Sequence, residues 1–242
     1  MRTGTKRICL FSSPRNVSTA LMYSWAQRPD TVVVDEPLYG HYLRVSGAAH
    51  PGREDILAYM ECDAKKVIEK VMLGRYKQPI VFFKHMAHQT IELDTSFMAE
   101  MDNLFFIRDP KKIIASYNKV IKNPTLEDIG IKKQWELYRL AKEKGYSHLI
   151  LDSGELLANP QRVLIHICLA LGIPFYPEML QWTAGARPED GIWARYWYNS
   201  VHGSVGFERM KSEDAELSAA GQALYLEALP FYDELFMASV KA

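Results

Sequence analysis

At 242 residues, with 29 basic and 29 acidic side chains and no net charge, the chain is long enough for one substantial core and lacks the basic excess of a nucleic-acid or membrane surface. Hydrophobic residues make up 48% and charged residues 24%, which excludes disordered and fibrous classes. Cys9, Cys62 and Cys168 are too far apart for a metal cluster and odd in number, so they suit reduced thiols. The apolar run near the N-terminus is too short for a secretion signal, and nothing later reaches the roughly 18 apolar residues of a membrane span. A cytoplasmic protein with no membrane and no nucleic-acid partner is the expectation, its oligomeric state open.

Five short β-rich runs recur along the chain, "RICLF", "TVVVDEP", "PIVFFK", "NLFFIRDP" and "SHLILD". Helical patterns separate them. Leu21, Met22 and Trp25 mark a first amphipathic helix. "REDILAYMECDAKKVIEKVMLG" reads as one long second helix with Ile56, Tyr59, Met60, Val67, Ile68 and Val71 on its apolar side. "PKKIIASYNKVIK" opens with Pro110 after Asp109 as cap, and "TLEDIGIKKQWELYRLAKEKG" and "NPQRVLIHICLALG" each close on a glycine suited to a left-handed cap. Residues 173–211 lose periodicity and are rich in Pro, Gly and aromatics, an ordered loop region whose rings need packing partners. A C-terminal helix over 212–239 follows, with Ser212 as cap and a kink or restart at Pro230.

Strands alternating with helices predict an α/β fold, a mostly parallel central sheet flanked by helices, as a single domain over residues 1–242. Ligands in such sheets sit beyond the carboxyl ends of the strands. The unusual polar residues cluster there: Ser12 to Ser18 after the first strand, Asp35 and Glu36 after the second, Lys84, His85 and His88 after the third, and Arg108 after the fourth. One pocket collecting them all is the expectation.

Within "SSPRNVSTAL", Arg15 is a cation, Ser18 and Thr19 stand at a helix start, and strand, polar loop and helix together make an anion site. The loop lacks the G-x-x-x-x-G-K-[ST] of a phosphate-binding loop, and Val17 stands where glycine would be wanted. Taken alone, a capping Ser18 and a solvated Arg15 explain it as well. In "FFIRDPKKIIASY", Arg108 ends a buried strand and Ser116 falls about two helical turns beyond Asp109, so an arginine fork and a hydroxyl face one way, the chemistry of a dianionic phosphate monoester.

The two motifs resemble the nucleotide signatures of the sulfotransferase family, which uses 3′-phosphoadenosine 5′-phosphosulfate as donor. The resemblance implies a sulfotransferase architecture akin to the P-loop nucleotide hydrolases. It implies that Arg15, Asn16, Val17, Ser18 and Thr19 hold the 5′-phosphosulfate, with Asn16 and Val17 standing where the family has serine and glycine. Arg108, Pro110, Ser116 and Tyr117 match the segment that binds the 3′-phosphate. "VVVDEPLYGHY" is similar to the Glu-Pro segment of the carbohydrate-modifying members, which makes Glu36 the first choice of base. "VFFKHMAHQ" looks like the strand of cytosolic members that ends in K-x-H, which brings in Lys84 as a contact to the sulfonate and His85, then His88, as other bases. His85 stands one residue before that histidine's place, and an extended strand would turn it to the opposite face. "HGSVGF" stands in for the glycine-containing loop over the 3′-phosphate, with Gly203 and Ser204 as contacts.

The implied activity is transfer of sulfonate to a hydroxyl or amine of a small-molecule or carbohydrate acceptor, with no metal required. Two other readings stay open: a small-molecule kinase with Asp152 as metal ligand, and a nucleotide-binding module without catalysis.

Overall fold

The computed structural model describes residues 4–118, 122–208 and 216–241. Its five strands are β1 (Lys6–Ser12), β2 (Thr31–Asp35), β3 (Ile80–Met86), β4 (Asp102–Ile107) and β5 (His148–Asp152). They form one sheet in the order β2-β3-β1-β4-β5, with every pairing parallel. Apolar residues run through both faces of the central strands because helices cover both sides.

In chain order the helices are α1 (Ser18–Ala26), α2 (Tyr39–Ser46), α3 (Arg53–Tyr59), α4 (Ala64–Val67, prolonged by a π-turn over Ile68–Met72), α5 (Pro110–Tyr117) and α6 (Leu126–Ile129). They continue with α7 (Ile131–Lys144), α8 (Ser153–Ala158), α9 (Pro160–Ala170), α10 (Ala194–Trp197), α11 (Asn199–His202) and α12 (Ala219–Met237).

Strand alternation divides the core in two. Cys9, Phe11, Phe83 and Phe105 face α5, α7 and α12 through Ile113, Leu137 and Ala228. Ile8, Leu10, Phe82 and Phe106 face α1 and α9 through Leu21, Trp25 and Leu164. Trp25 stacks on Phe82 with ring centroids 4.8 Å apart, and a fully buried side chain of this kind contributes about 1.5–3 kcal/mol. A third, smaller cluster of Tyr39, Leu43, Ile56, Trp193 and Tyr198 joins α2 and α3 to the aromatic-rich region.

Three helix expectations need correction. The long second helix is broken between Tyr59 and Ala64: the Asp63 carboxylate accepts from the Lys65 and Lys66 N–H groups and starts a new helix, leaving Tyr59 71% exposed. The stretch from Thr125 is two helices, because Gly130 adopts φ +69° between α6 and α7. The C-terminal helix begins at Ala219, where the Ser218 hydroxyl accepts from the Gly221 N–H, and it runs through Pro230 as one helix. The expected cap Ser212 lies outside the described residues, as do 209–211 of the aromatic-rich region. Among the described residues, no helix is long and apolar enough to cross a membrane.

Candidate active site

The carboxyl ends of β1, β2, β3 and β4 open on one cavity of about 350 Å³. Its floor is the loop from Ser13 to Val17. After β1 the backbone turns left-handed at Arg15, with φ +56°, a conformation rare outside glycine. The Asn16 amide then spans the loop, donating to the Phe106 carbonyl at 2.8 Å while its oxygen accepts from the Val17 N–H at 2.9 Å. Val17, not Ser18, holds the N-cap position, and no side chain caps α1. The first N–H groups of this helix therefore face the cavity, flanked by Ser18, Thr19 and Ala20 in its lining.

Gln134 secures the loop from beneath. It is fully buried on α7, its amide donates to the Phe11 and Phe106 carbonyls at 2.7 and 2.8 Å, and it accepts from the Ser13 hydroxyl at 2.9 Å.

Arg108 leaves the end of β4 and Asp109 caps α5, its carboxylate accepting from the Lys111 N–H at 2.8 Å. The Arg108 guanidinium donates to the Arg15 carbonyl, and Arg15 Nε donates to the Ser116 hydroxyl at 3.1 Å. Burial lowers the proton affinity of both arginines, and Arg15 lowers that of Arg108 further. Two partly desolvated guanidiniums beside a hydroxyl and a helix N-terminus suit an anion rich in oxygen.

Across the cavity, Lys84 is fully buried and donates to Asp35 Oδ1 at 2.8 Å, to Glu36 Oε1 at 2.6 Å and to the Tyr198 hydroxyl at 2.6 Å. All three ammonium protons are thus placed. The Tyr198 hydroxyl donates onward to Asp35 Oδ2 at 2.7 Å and accepts from Trp193 Nε1 at 3.2 Å. Gln89 donates to the other Glu36 oxygen at 2.5 Å. Burial raises Asp35 above the usual carboxylate range against the pull of Lys84. Burial also pushes Glu36 up, but Lys84 and Gln89 outweigh it and leave Glu36 low. Burial acts against the Lys84 charge too, and the two carboxylates outweigh it, so its proton is held firmly. Glu36 has φ +39°, the second strained backbone of the site.

His85 lies elsewhere. Because β3 continues through Met86, Lys84 and His85 point to opposite faces, and the His85 ring lies stacked against Phe11 and Phe83 with neither nitrogen hydrogen-bonded. Burial drives its pKa down to about 3. His88 lines the cavity, and burial holds its pKa at about 4. Ser204 lines the cavity, with its hydroxyl donating to the Val201 carbonyl at 2.7 Å, whereas Gly203 stands outside the lining and Gly206 inside it.

A family model described as a sulfotransferase domain matches residues 6–239. The chain belongs to the sulfotransferase family. Two Arabidopsis thaliana relatives, named branched-chain-amino-acid aminotransferase-like proteins 1 and 2, are 37% and 35% identical over 226 residues, 93% of this chain. The match takes up 40% of each relative, so the chain spans about two fifths of their length. Among solved structures, a sulfotransferase from Alicyclobacillus acidocaldarius superposes with TM-score 0.55 at 11% identity over 98% of both chains. The sulfotransferase domain from the curacin biosynthetic pathway gives 0.50 at 14% identity over 94% of this chain and 98% of that one. Both are likenesses of fold, and they agree with the parallel, P-loop-like architecture.

In this sulfotransferase-family chain, Arg15, Asn16, Val17, Ser18, Thr19, Glu36, Lys84, Arg108, Ser116 and Ser204 all line the cavity, from positions spread over most of the sequence. Several lining or supporting residues escaped sequence reasoning: Gln89, Gln134, Tyr39 and His50. The Glu-Pro turn after β2 was a signal for Tyr39, three residues beyond Glu36. Nothing in the pattern marked Gln134.

Proposed function

We propose that the chain transfers sulfonate from 3′-phosphoadenosine 5′-phosphosulfate to a hydroxyl or amine of a small molecule. The observation that carries this reading is the meeting of Arg15, Arg108 and Ser116, from two crossover units, at one end of a cavity whose other end holds Glu36 and Lys84.

In this reading the α1 N-terminus and Arg15 hold the donor's 5′ end, and Arg108 and Ser116 hold its 3′-phosphate. As the acceptor oxygen bonds to sulfur and the bridging S–O bond breaks, charge grows on the departing bisphosphate, and Arg15 stabilises it more than in the ground state. Sulfuryl carries less charge than phosphoryl, so side-chain cations suffice for the clamp.

Glu36 takes the acceptor's proton. Held by Lys84 it is a weak base, but a Lys84 ammonium that turns one N–H from Glu36 to the sulfonate raises the carboxylate's proton affinity as the proton must move. Lys84 has no proton to spare in the present arrangement, so contact with sulfonate requires that exchange.

Incubating the protein with sulfur-labelled donor and a panel of small alcohols, phenols, sugars and amines tests the reading. Transfer of label to an acceptor, abolished in Arg15→Ala and Glu36→Gln, is the expected result. Transfer of labelled phosphate from ATP with Mg²⁺, and none from the sulfonate donor, would overturn it.

A further inference from the structure

We infer that the acceptor end of the cavity is shaped for a small alcohol that carries a positively charged nitrogen. The inference rests on the sulfonate-transfer reading for which end receives the acceptor, and it names the substrate class of that same site.

Around Glu36 the cavity wall consists of rings: Tyr39, His50, His88, Trp193, Trp197 and Tyr198. They stand at steep angles to one another, as the sides of a box do. Tyr39 meets Trp193 at 87° with centroids 5.2 Å apart, and His50 meets Trp197 at 65° and 5.8 Å. Hydrogen bonds fix the box, since the Tyr39 hydroxyl and His50 Nδ1 are 2.8 Å apart and Trp193 Nε1 donates to Tyr198. Burial keeps both imidazoles uncharged at neutral pH, with His50 pushed low and His88 at about 4. No ring in the box therefore contributes a positive charge.

The charged groups at this end are unequal. Asp35 and Glu36 share the single ammonium of Lys84, whose three protons are already spent on Asp35, Glu36 and Tyr198. Of the two carboxylates, Glu36 lines the cavity. The Arg15 guanidinium bonds to Ser116 and the Arg108 guanidinium to the Arg15 carbonyl instead, and Lys84 and Gln89 are the groups that hold Glu36's proton affinity down. An acceptor bearing a carboxylate or phosphate would meet Glu36 with no spare cation to offset it. An ammonium gains from both the carboxylate and the negative ring faces, more so in a desolvated box.

The transfer then balances as follows. The acceptor hydroxyl oxygen forms a bond to sulfur and its proton passes to Glu36. The bridging S–O bond breaks, and its electron pair leaves with adenosine 3′,5′-bisphosphate. The product is a zwitterion, a sulfate ester with its ammonium in the ring box.

Titration calorimetry on the wild-type protein saturated with adenosine 3′,5′-bisphosphate tests this without turnover. The probes are choline, 2-aminoethanol, the uncharged isostere 3,3-dimethylbutan-1-ol and the anion hydroxypivalate. At least one ammonium probe is expected to bind about tenfold or more tightly than the uncharged isostere, and the anion least of all. Glu36→Gln and Trp197→Ala should each erase that preference while leaving the affinity for the bisphosphate unchanged. Equal or tighter binding of the uncharged isostere or the anion, or no binding of any probe, overturns the inference and leaves the donor reading standing. Failure of the bisphosphate itself to bind overturns the donor reading.

Discussion

Arg15 Nε donates to Ser116 Oγ across 3.1 Å, so the loop after β1 and helix α5, with partners 101 residues apart in sequence, meet on a single hydrogen bond. The contact is anchored on both sides. Asn16 ties the first loop to the end of β4, and the Arg108 guanidinium reaches back to the Arg15 carbonyl. A ligand that engages either arginine is therefore felt by both.

This coupling sets the first expectation. Arg108→Ala removes a guanidinium that holds the Arg15 backbone and that, in the proposed function, also grips the 3′-phosphate, and charge-assisted bonds of this kind contribute about 1.5–3 kcal/mol. Affinity for adenosine 3′,5′-bisphosphate should fall roughly 10- to 100-fold. Arg108→Lys should recover little, because an ammonium cannot reproduce the planar fork. Titration of the three proteins checks this, and full recovery by lysine would argue against bidentate binding.

Glu36→Gln keeps the size and the acceptor oxygen of the side chain but not its basicity. Bisphosphate affinity should hold while turnover drops by about 10²- to 10⁴-fold, the usual worth of a positioned base. Single-turnover transfer of labelled sulfonate measures it. Undiminished turnover would remove Glu36 from the role.

Tyr198→Phe deletes the hydroxyl that accepts from Lys84 and Trp193 and donates to Asp35. It leaves buried donors without their acceptor, which costs about 1–3 kcal/mol. Thermal unfolding should report a lower Tm than the wild type. An unchanged Tm would mean that this network contributes nothing to holding the aromatic-rich region on the sheet.

His85 offers a test of stability rather than catalysis. Its folded pKa, about 3, lies below the ordinary histidine value of 6.5, so between those limits the unfolded chain binds a proton that the folded chain refuses. Stability should fall as pH drops from about 6.5 toward 3, with no contribution from this residue above that window. His85→Leu removes two unpartnered nitrogens from between Phe11 and Phe83, and should flatten that acid slope while leaving turnover intact. Urea unfolding across the pH range reads the slope, and lost turnover in this variant would bring His85 back toward the chemistry.

All five strands were legible in the sequence because each is a short apolar run, four of them rich in β-branched or aromatic residues, closed by a polar or proline-containing turn. Helical periodicity misled where it continued across a break, as at Met60 to Asp63, since a pattern of apolar residues does not register a side chain that caps a new helix. The loop motifs gave Arg15, Glu36, Lys84 and Arg108 because charge at the carboxyl end of a strand in such a sheet points to a ligand, and Ser116 followed from its place about two helical turns beyond Asp109 on the same face. The opposite face of His85 was foreseeable from strand alternation, and the extension of β3 through Met86 decides it. Tyr198 was not legible as a partner of Lys84: it comes 114 residues later, from a segment without periodicity whose path depends on tertiary packing. Gln134 was missed for a related reason, since a glutamine on an amphipathic helix reads as solvent-facing, whereas here it is fully buried and ties the Ser13 hydroxyl of the loop to the β1 and β4 carbonyls of Phe11 and Phe106.

In the proposed function, Arg15 and Arg108 together hold a nucleotide with two phosphate ends. Calorimetric titration of the wild-type protein with adenosine 3′,5′-bisphosphate in the presence of a metal chelator measures this directly, alongside ATP with Mg²⁺. Saturable binding of the bisphosphate that survives chelation and is lost in Arg15→Ala and Arg108→Ala is the expected result. Binding of ATP with Mg²⁺ in preference to the bisphosphate, or bisphosphate binding untouched by either substitution, would contradict it.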